Sequence, residues 1–125
     1  MKIRCLIIDD EQLARDLLEA YIKEIPDLVV LAKCKNALDA EKLMQSEKVD
    51  LLFLDIQMPL KSGIDFLRQL TNPPKVILTT AFKKYALEGY ELEIVDYLLK
   101  PIGFERFKLA VSKVKELLQL EYKAQ

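Results

Sequence analysis

The sequence predicts an α/β domain built on a doubly wound, five-stranded parallel sheet, and three observations predict it. Short apolar runs alternate with amphipathic segments along all 125 residues, the pattern of repeated βα units. No internal repeat, low-complexity tract or linker interrupts that alternation, so the chain reads as one domain with one core. The run Val49-Asp50-Leu51-Leu52-Phe53-Leu54 then ends abruptly on Asp55, as a strand buried on both faces does when it reaches the edge of its sheet.

Ile3 to Ile8 is the first strand. Leu13, Leu17, Tyr21 and Ile25, spaced by four, mark one face of the first helix, which ends at Pro26. Leu28 to Ala32 is the second strand. Asn36 can cap a helix running to about Lys48, with Leu43 and Met44 turned inward. Leu51 to Leu54 is the third strand. A loop with Pro59 and Gly63 follows, then a helix through Phe66, Leu67 and Leu70, stopped by Pro73-Pro74. Lys75 to Thr79 is strand four. Lys83 to Leu92 has helical spacing weakened by Gly89. Ile94 to Leu99 is strand five, and Phe104, Phe107, Val111, Val114 and Leu118 mark the sheet-facing stripe of a final helix.

Composition narrows the function. Half the residues are hydrophobic (51%), 31% are charged, and the net charge is -1 with both signs interspersed, which argues against nucleic-acid binding by this domain alone. There is no histidine, so His-based triads, H-E-x-x-H zinc sites and phosphohistidine are all excluded from the chain itself. Glycine-rich nucleotide loops are absent too. No run approaches a membrane span or a signal-peptide core, and a cytoplasmic location is expected. Cys5 and Cys34 lack a C-x-x-C pattern and read as reduced packing residues.

The remaining signal lies at the carboxyl ends of the strands, which a right-handed parallel sheet gathers into one crevice. Asp9 and Asp10 follow strand one and Asp55 follows strand three. Clustered carboxylates repel, and a cation compensates them; an all-oxygen set suits Mg²⁺. Taken alone, Asp9 and Asp10 could equally serve the following helix as cap and dipole partners. Thr80 and Lys100 close strands four and five. Singly each has a structural explanation; together a hydroxyl and an ammonium suit a phosphoryl group carried on a carboxylate.

In order and spacing, Ile8-Asp9-Asp10-Glu11, Leu54-Asp55-Ile56-Gln57-Met58-Pro59 with Gly63, Thr80-Ala81 and Lys100-Pro101 resemble the motifs of bacterial response-regulator receiver domains. The stretches Thr79-Thr80-Ala81-Phe82, Tyr85-Ala86-Leu87 and Asp96-Tyr97-Leu98-Leu99-Lys100-Pro101-Ile102 are most similar to the LytTR (LytR/AlgR-like) class. The resemblance implies a flavodoxin-like (βα)5 fold of strand order 2-1-3-4-5. It makes Asp55 the acceptor of a phosphoryl group from a sensor histidine kinase. Asp10, Asp55 and the backbone carbonyl of Gln57 would hold Mg²⁺, with Asp9 acting through water. Lys100 would contact the phosphoryl oxygens, with its bond to Pro101 cis. Thr80 would swing toward the phosphoryl group and Tyr97 would turn inward with it, switching the face of helix four, strand five and helix five, near Tyr90, Phe104 and Phe107.

A phosphorylation-dependent homodimer is the expected outcome. DNA would be reached only through an output domain absent from this sequence: residues 1–120 would form the receiver and 121–125 would begin a linker. A free-standing receiver acting by contacts is the alternative. So is a Mg²⁺-dependent aspartyl-phosphate phosphohydrolase, although Gln57 stands where such enzymes usually place a second acid and no insertion could form a lid. Phe82, two beyond Thr80, is bulky enough to impede a water attacking the phosphoryl group, which implies a long-lived phospho-form.

Overall fold

The computed structural model describes residues 2–86 and 91–124. Its five strands, β1 (Ile3–Ile8), β2 (Leu28–Cys34), β3 (Leu51–Asp55), β4 (Lys75–Thr80) and β5 (Asp96–Leu99), form one parallel sheet in the order β2-β1-β3-β4-β5. The helices are α1 (Gln12–Lys23), α2 (Ala37–Ser46), α3 (Gly63–Gln69), α4 (Lys83–Ala86) and α5 (Phe104–Ala124). The expected helix from Lys83 to Leu92 is described only as far as Ala86; positions 87–90, with Gly89 and Tyr90, lie outside the described residues.

Strand pleating divides the core in two. Ile3, Cys5, Ile7, Leu51, Phe53, Ile77 and Leu98 face α1 and α5, where Phe53 stacks on Phe107. Leu6, Ile8, Leu52, Leu54, Val76 and Leu78 face α2 and α3, meeting Ala37, Ala40, Ile64, Phe66 and Leu67. Sheathing on both faces is why the central strands are continuously apolar. Cys5 and Cys34 are buried free thiols, as expected.

Asn36 caps α2 by accepting from the Asp39 N–H at 2.8 Å. Ser62 does the same for α3 through Asp65 at 3.1 Å, each cap contributing about 1 kcal/mol. The stripe on α5 packs inward, with Phe107, Val111 and Val114 buried and Phe104 and Leu118 at its margin. Residues 121–124 form the last turn of α5, where Glu121 pairs with Lys75 at 2.5 Å.

Some limits shift. β2 continues past Ala32 to Cys34, β3 to Asp55 and β4 to Thr80, because the ladders Ile8↔Cys34, Asp55↔Thr79 and Thr80↔Leu99 persist whatever the side chains' polarity. β5 begins at Asp96, since Ile94 donates its N–H to Leu92 in a turn. α2 stops at Ser46 rather than near Lys48, with Glu47 already extended.

The larger correction concerns α1. Leu18 and Ile22 are its buried residues, Tyr21 and Ile25 lie at the core margin, and Leu13 is 86% exposed and Leu17 38%. A row spaced by four drifts about 40° around a helix at each step, so only its lower half reaches the sheet.

Candidate functional site

Every predicted strand-end residue lies at the carboxyl edge of the sheet. Asp9, Asp10 and Asp55 each offer a carboxylate oxygen, and these atoms lie within 4.8 Å of one another. Asp9 and Asp55 are buried while Asp10 is exposed. No histidine or cysteine joins the group, so the donor set is all oxygen and fits a hard dication such as Mg²⁺.

Lys100 supplies the opposing charge. Its Nζ lies 2.9 Å from Asp9 Oδ2, 3.2 Å from Glu11 Oε1 and 3.6 Å from Asp55 Oδ1. The Asp9 contact is an ion pair poorly aligned for hydrogen bonding, which leaves Asp9 Oδ2 without a directed partner. Burial alone would lower the ammonium's pKa, but Asp9, Asp55 and Glu11 outweigh it and hold it above its ordinary value. The Lys100-Pro101 bond is cis.

Burial, reinforced by the Asp9 carboxylate, pushes Asp55 from the usual 3.8 up to about 7, against the opposing pull of Lys100 and the Gln57 backbone N–H. This shift predicts a pH dependence. From about 4 to about 7 the metal-free folded domain keeps a proton that the unfolded chain has lost, so its stability falls as pH rises through that window and levels off above it. Thermal melting from pH 5 to pH 8 with chelator checks this. A melting temperature that rose with pH would contradict it.

Thr80 and Tyr97 lie on the opposite sheet face from the acids. The Thr80 hydroxyl accepts from the Phe82 N–H at 3.0 Å and reaches its carbonyl at 3.3 Å. Tyr97, opposite Leu78 in the ladder, is partly buried against the α2–α3 core. Gln57 is exposed, and with Met58, Pro59, Ile64 and Tyr85 it lines a cavity of about 460 Å³ beside Asp10. On the other side of the acids, Leu13, Leu17, Pro101 and Ile102 line a cavity of about 220 Å³ that reaches Asp9 and Lys100. The two exposed leucines of α1 therefore rim the site.

Three residues carry no role legible in the sequence: Glu11 and Thr79 at the site, and Asp96 at the other end of β5. Glu11 shares Lys100. Asp96, 8% exposed, binds Arg106 through both oxygens at 2.8 and 2.9 Å and Lys113 at 3.0 Å. Burial would raise its pKa, but these cations hold it below the ordinary carboxylate range and pin α5 to β5 beside Tyr97. No spacing rule pairs residues on two separate elements. Thr79 is buried with its hydroxyl unpartnered; the Thr79-Thr80 doublet was its only signal.

Comparison with known proteins gives a consistent picture. A sequence profile of the response regulator receiver domain matches residues 5–112. The chain is 36% identical to sensory transduction protein LytT of Bacillus subtilis over 118 residues, 92% of this chain and 49% of that protein. It is 39% identical to sensory transduction protein LytR of Staphylococcus haemolyticus over 116 residues, 90% of this chain and 45% of that one. The chain thus spans about half the length of these relatives. Among solved structures, the response regulatory domain of mrkE from Klebsiella pneumoniae superposes with TM-score 0.81 at 30% identity, covering 98% of this chain and all of that one (100%). Response regulator TrrA from Thermotoga maritima, solved in complex with Mg²⁺-BeF, gives TM-score 0.78 at 32% identity, covering 91% and 99% of the two chains.

Proposed function

Because the chain belongs to the response regulator receiver domain family, we propose that Asp55 is its phosphoacceptor and that phosphorylation switches the α4-β5-α5 face. The carrying observation is the Asp55 carboxylate, 3% exposed, gathered with Asp9 and Asp10 within 4.8 Å and facing Lys100 at 3.6 Å. The physiological donor in this reading is the phosphohistidine of a partner sensor histidine kinase; this sequence itself holds no histidine. An Asp55 oxygen attacks phosphorus, the P–N bond of the phosphohistidine breaks, and the imidazole leaves with its electron pair. Asp10, Asp55 and the Gln57 carbonyl would hold Mg²⁺, with Asp9 contributing through water. Bound there, the ion supplies charge neutralisation for the transferring phosphoryl group. Asp55, which burial biases toward its protonated form, becomes the ionised nucleophile when positive charge enters the pocket.

The readout follows from what Thr80 gives up. Its hydroxyl now serves the Phe82 backbone; drawn to the phosphoryl group, it frees that turn and opens space on the face that Tyr97 shares. β5 is an edge strand, and α5 beside it exposes Leu109, Leu117 and Leu120, an apolar strip suited to a second copy of the chain. Any DNA binding would come from a part of the parent protein other than this domain, which spans about half the length of LytR and LytT. A cytoplasmic location goes with this reading; among the described residues no helix is long and apolar enough to cross a membrane.

Beryllium fluoride or a small phosphodonor with Mg²⁺ should give a stable adduct by intact mass and a shift from monomer to dimer. Turnover of a phosphate ester without an accumulating adduct would point to a phosphohydrolase instead. Phe82 is 51% exposed, and its ring lies edge-on to Tyr85 at 6.0 Å; in this reading its bulk would impede a water approaching the phosphoryl group. Phe82→Ala should speed loss of the phosphoryl group roughly three- to tenfold, about 1 kcal/mol off the barrier. An unchanged half-life would refute that role.

A further inference from the structure

Thr79 is the one buried hydroxyl, among the described residues, that has no hydrogen-bond partner. It is 1% exposed. Leaving such a group unpaired costs about 1–3 kcal/mol, and a valine of the same shape would avoid that cost. The Thr80 hydroxyl next to it, by contrast, is engaged with Phe82.

The ladder fixes where Thr79 points. It follows Ile77 by two residues and pairs with Leu98 on β5 and Asp55 on β3. Ile77 and Leu98 belong to the α1–α5 core, so the Thr79 side chain lies on that face, the face of Asp9 and Asp55. Lys100 leaves the end of β5, where its N–H bonds the Thr80 carbonyl. Its ammonium nevertheless ends 2.9 Å from Asp9 on β1 and 3.6 Å from Asp55 on β3. With the strands ordered β1-β3-β4-β5, the lysine side chain reaches from β5 past β4 to β1 and β3, and Thr79 is the last β4 residue whose side chain turns to the face of the acids. The ammonium now sits nearer Asp9 than Asp55.

We propose that Thr79 is a positioning residue for Lys100: its hydroxyl accepts a hydrogen bond from the ammonium when Lys100 draws back from Asp9 to a phosphoryl group on Asp55. Withdrawal from β1 toward β3 moves the ammonium toward β4. One of its three protons can then go to Thr79 Oγ1 and the others to phosphoryl oxygens. The hydroxyl that is idle in the resting domain completes the phosphorylated one. This rests on Asp55 being the acceptor.

Thr79→Val and Thr79→Ser separate the hydroxyl from packing. Thr79→Val should keep or raise the melting temperature of the resting domain. Phosphoryl uptake from acetyl phosphate should fall on the order of tenfold, as for loss of a hydrogen bond to a charged group. The Lys100 ammonium signal in ¹⁵N NMR of the beryllofluoride-loaded domain, identified by its absence in Lys100→Ala, should broaden through faster proton exchange. Thr79→Ser should restore both the uptake and the signal. Wild-type uptake and an intact ammonium signal in Thr79→Val would overturn the assignment, as would a Thr79→Ser variant as impaired as Thr79→Val. In both cases Asp55 labelling in the parent domain leaves the reading of the site standing. If the parent gains no adduct on Asp55, that reading and the Thr79 role fall together.

Discussion

Asp55→Asn should reduce phosphoryl uptake to background while leaving the metal-free domain more stable at neutral pH. The amide is not a nucleophile, and neither neighbouring acid is a ready substitute: Asp9 is buried against Lys100 and Asp10 is exposed at the rim. The stability gain comes from removing a buried carboxylate that the fold holds beside Asp9. About 1 kcal/mol gained in a domain of this size corresponds to roughly 3–6 °C in melting temperature. The decline in stability from pH 5 to pH 8 should flatten in the same variant. Intact mass after incubation with a phosphodonor, together with melting curves in chelator, reads all of this. A variant that still gained an adduct would move the acceptor elsewhere. One that melted lower than the parent would mean that the carboxylate is a net structural asset.

Gly63→Ala should be the most damaging small substitution near the site. A Cβ at Gly63 would come within 3.0 Å of the Asp55 carbonyl carbon and closer still to its oxygen, and 3.1 Å from Ile56 Cα. Those neighbours are backbone and cannot rotate away. The Gly63 N–H also bonds the Ile56 carbonyl at 2.8 Å, so the first turn of α3 is pressed directly on the end of β3. Relief requires separating the two and displacing Asp55. A loss of about 3 kcal/mol, at the upper end for overpacking, would lower the melting temperature by on the order of 10 °C and weaken beryllofluoride binding. Gly103→Ala is the control: nothing lies within 4 Å of its Cβ, and it should stay within about 1 kcal/mol of the parent. Equal effects of the two substitutions would remove close approach as the explanation.

Whatever topology forces is legible in the sequence. Once the segments alternate as strands and helices, parallel strands must present Asp9, Asp10, Asp55, Thr80 and Lys100 at one edge; the structure gathers the three acids with Lys100 there, while Thr80 ends β4 with its hydroxyl on the Phe82 backbone. The caps were legible where a side chain acts on its own helix, as at Asn36. Facing was less legible. A row spaced by four suggested a single buried stripe on α1, yet Leu13 and Leu17 turn outward to rim the site. Particular pairings between elements were not legible: that Asp96 on β5 would be held by Arg106 and Lys113 on α5, or that Lys100 would rest on Asp9. Those depend on register and side-chain reach, which no linear spacing encodes.

On the proposed reading, this domain's chemistry is the formation of an acyl phosphate on one carboxylate, Asp55. Incubation with Mg²⁺ and acetyl phosphate, followed by borohydride reduction, converts a phosphorylated aspartate to homoserine, which peptide mass mapping locates. Homoserine at position 55 and at no other aspartate is the predicted result. Homoserine at Asp9 or Asp10, or none at any aspartate while acetyl phosphate is consumed, would contradict it.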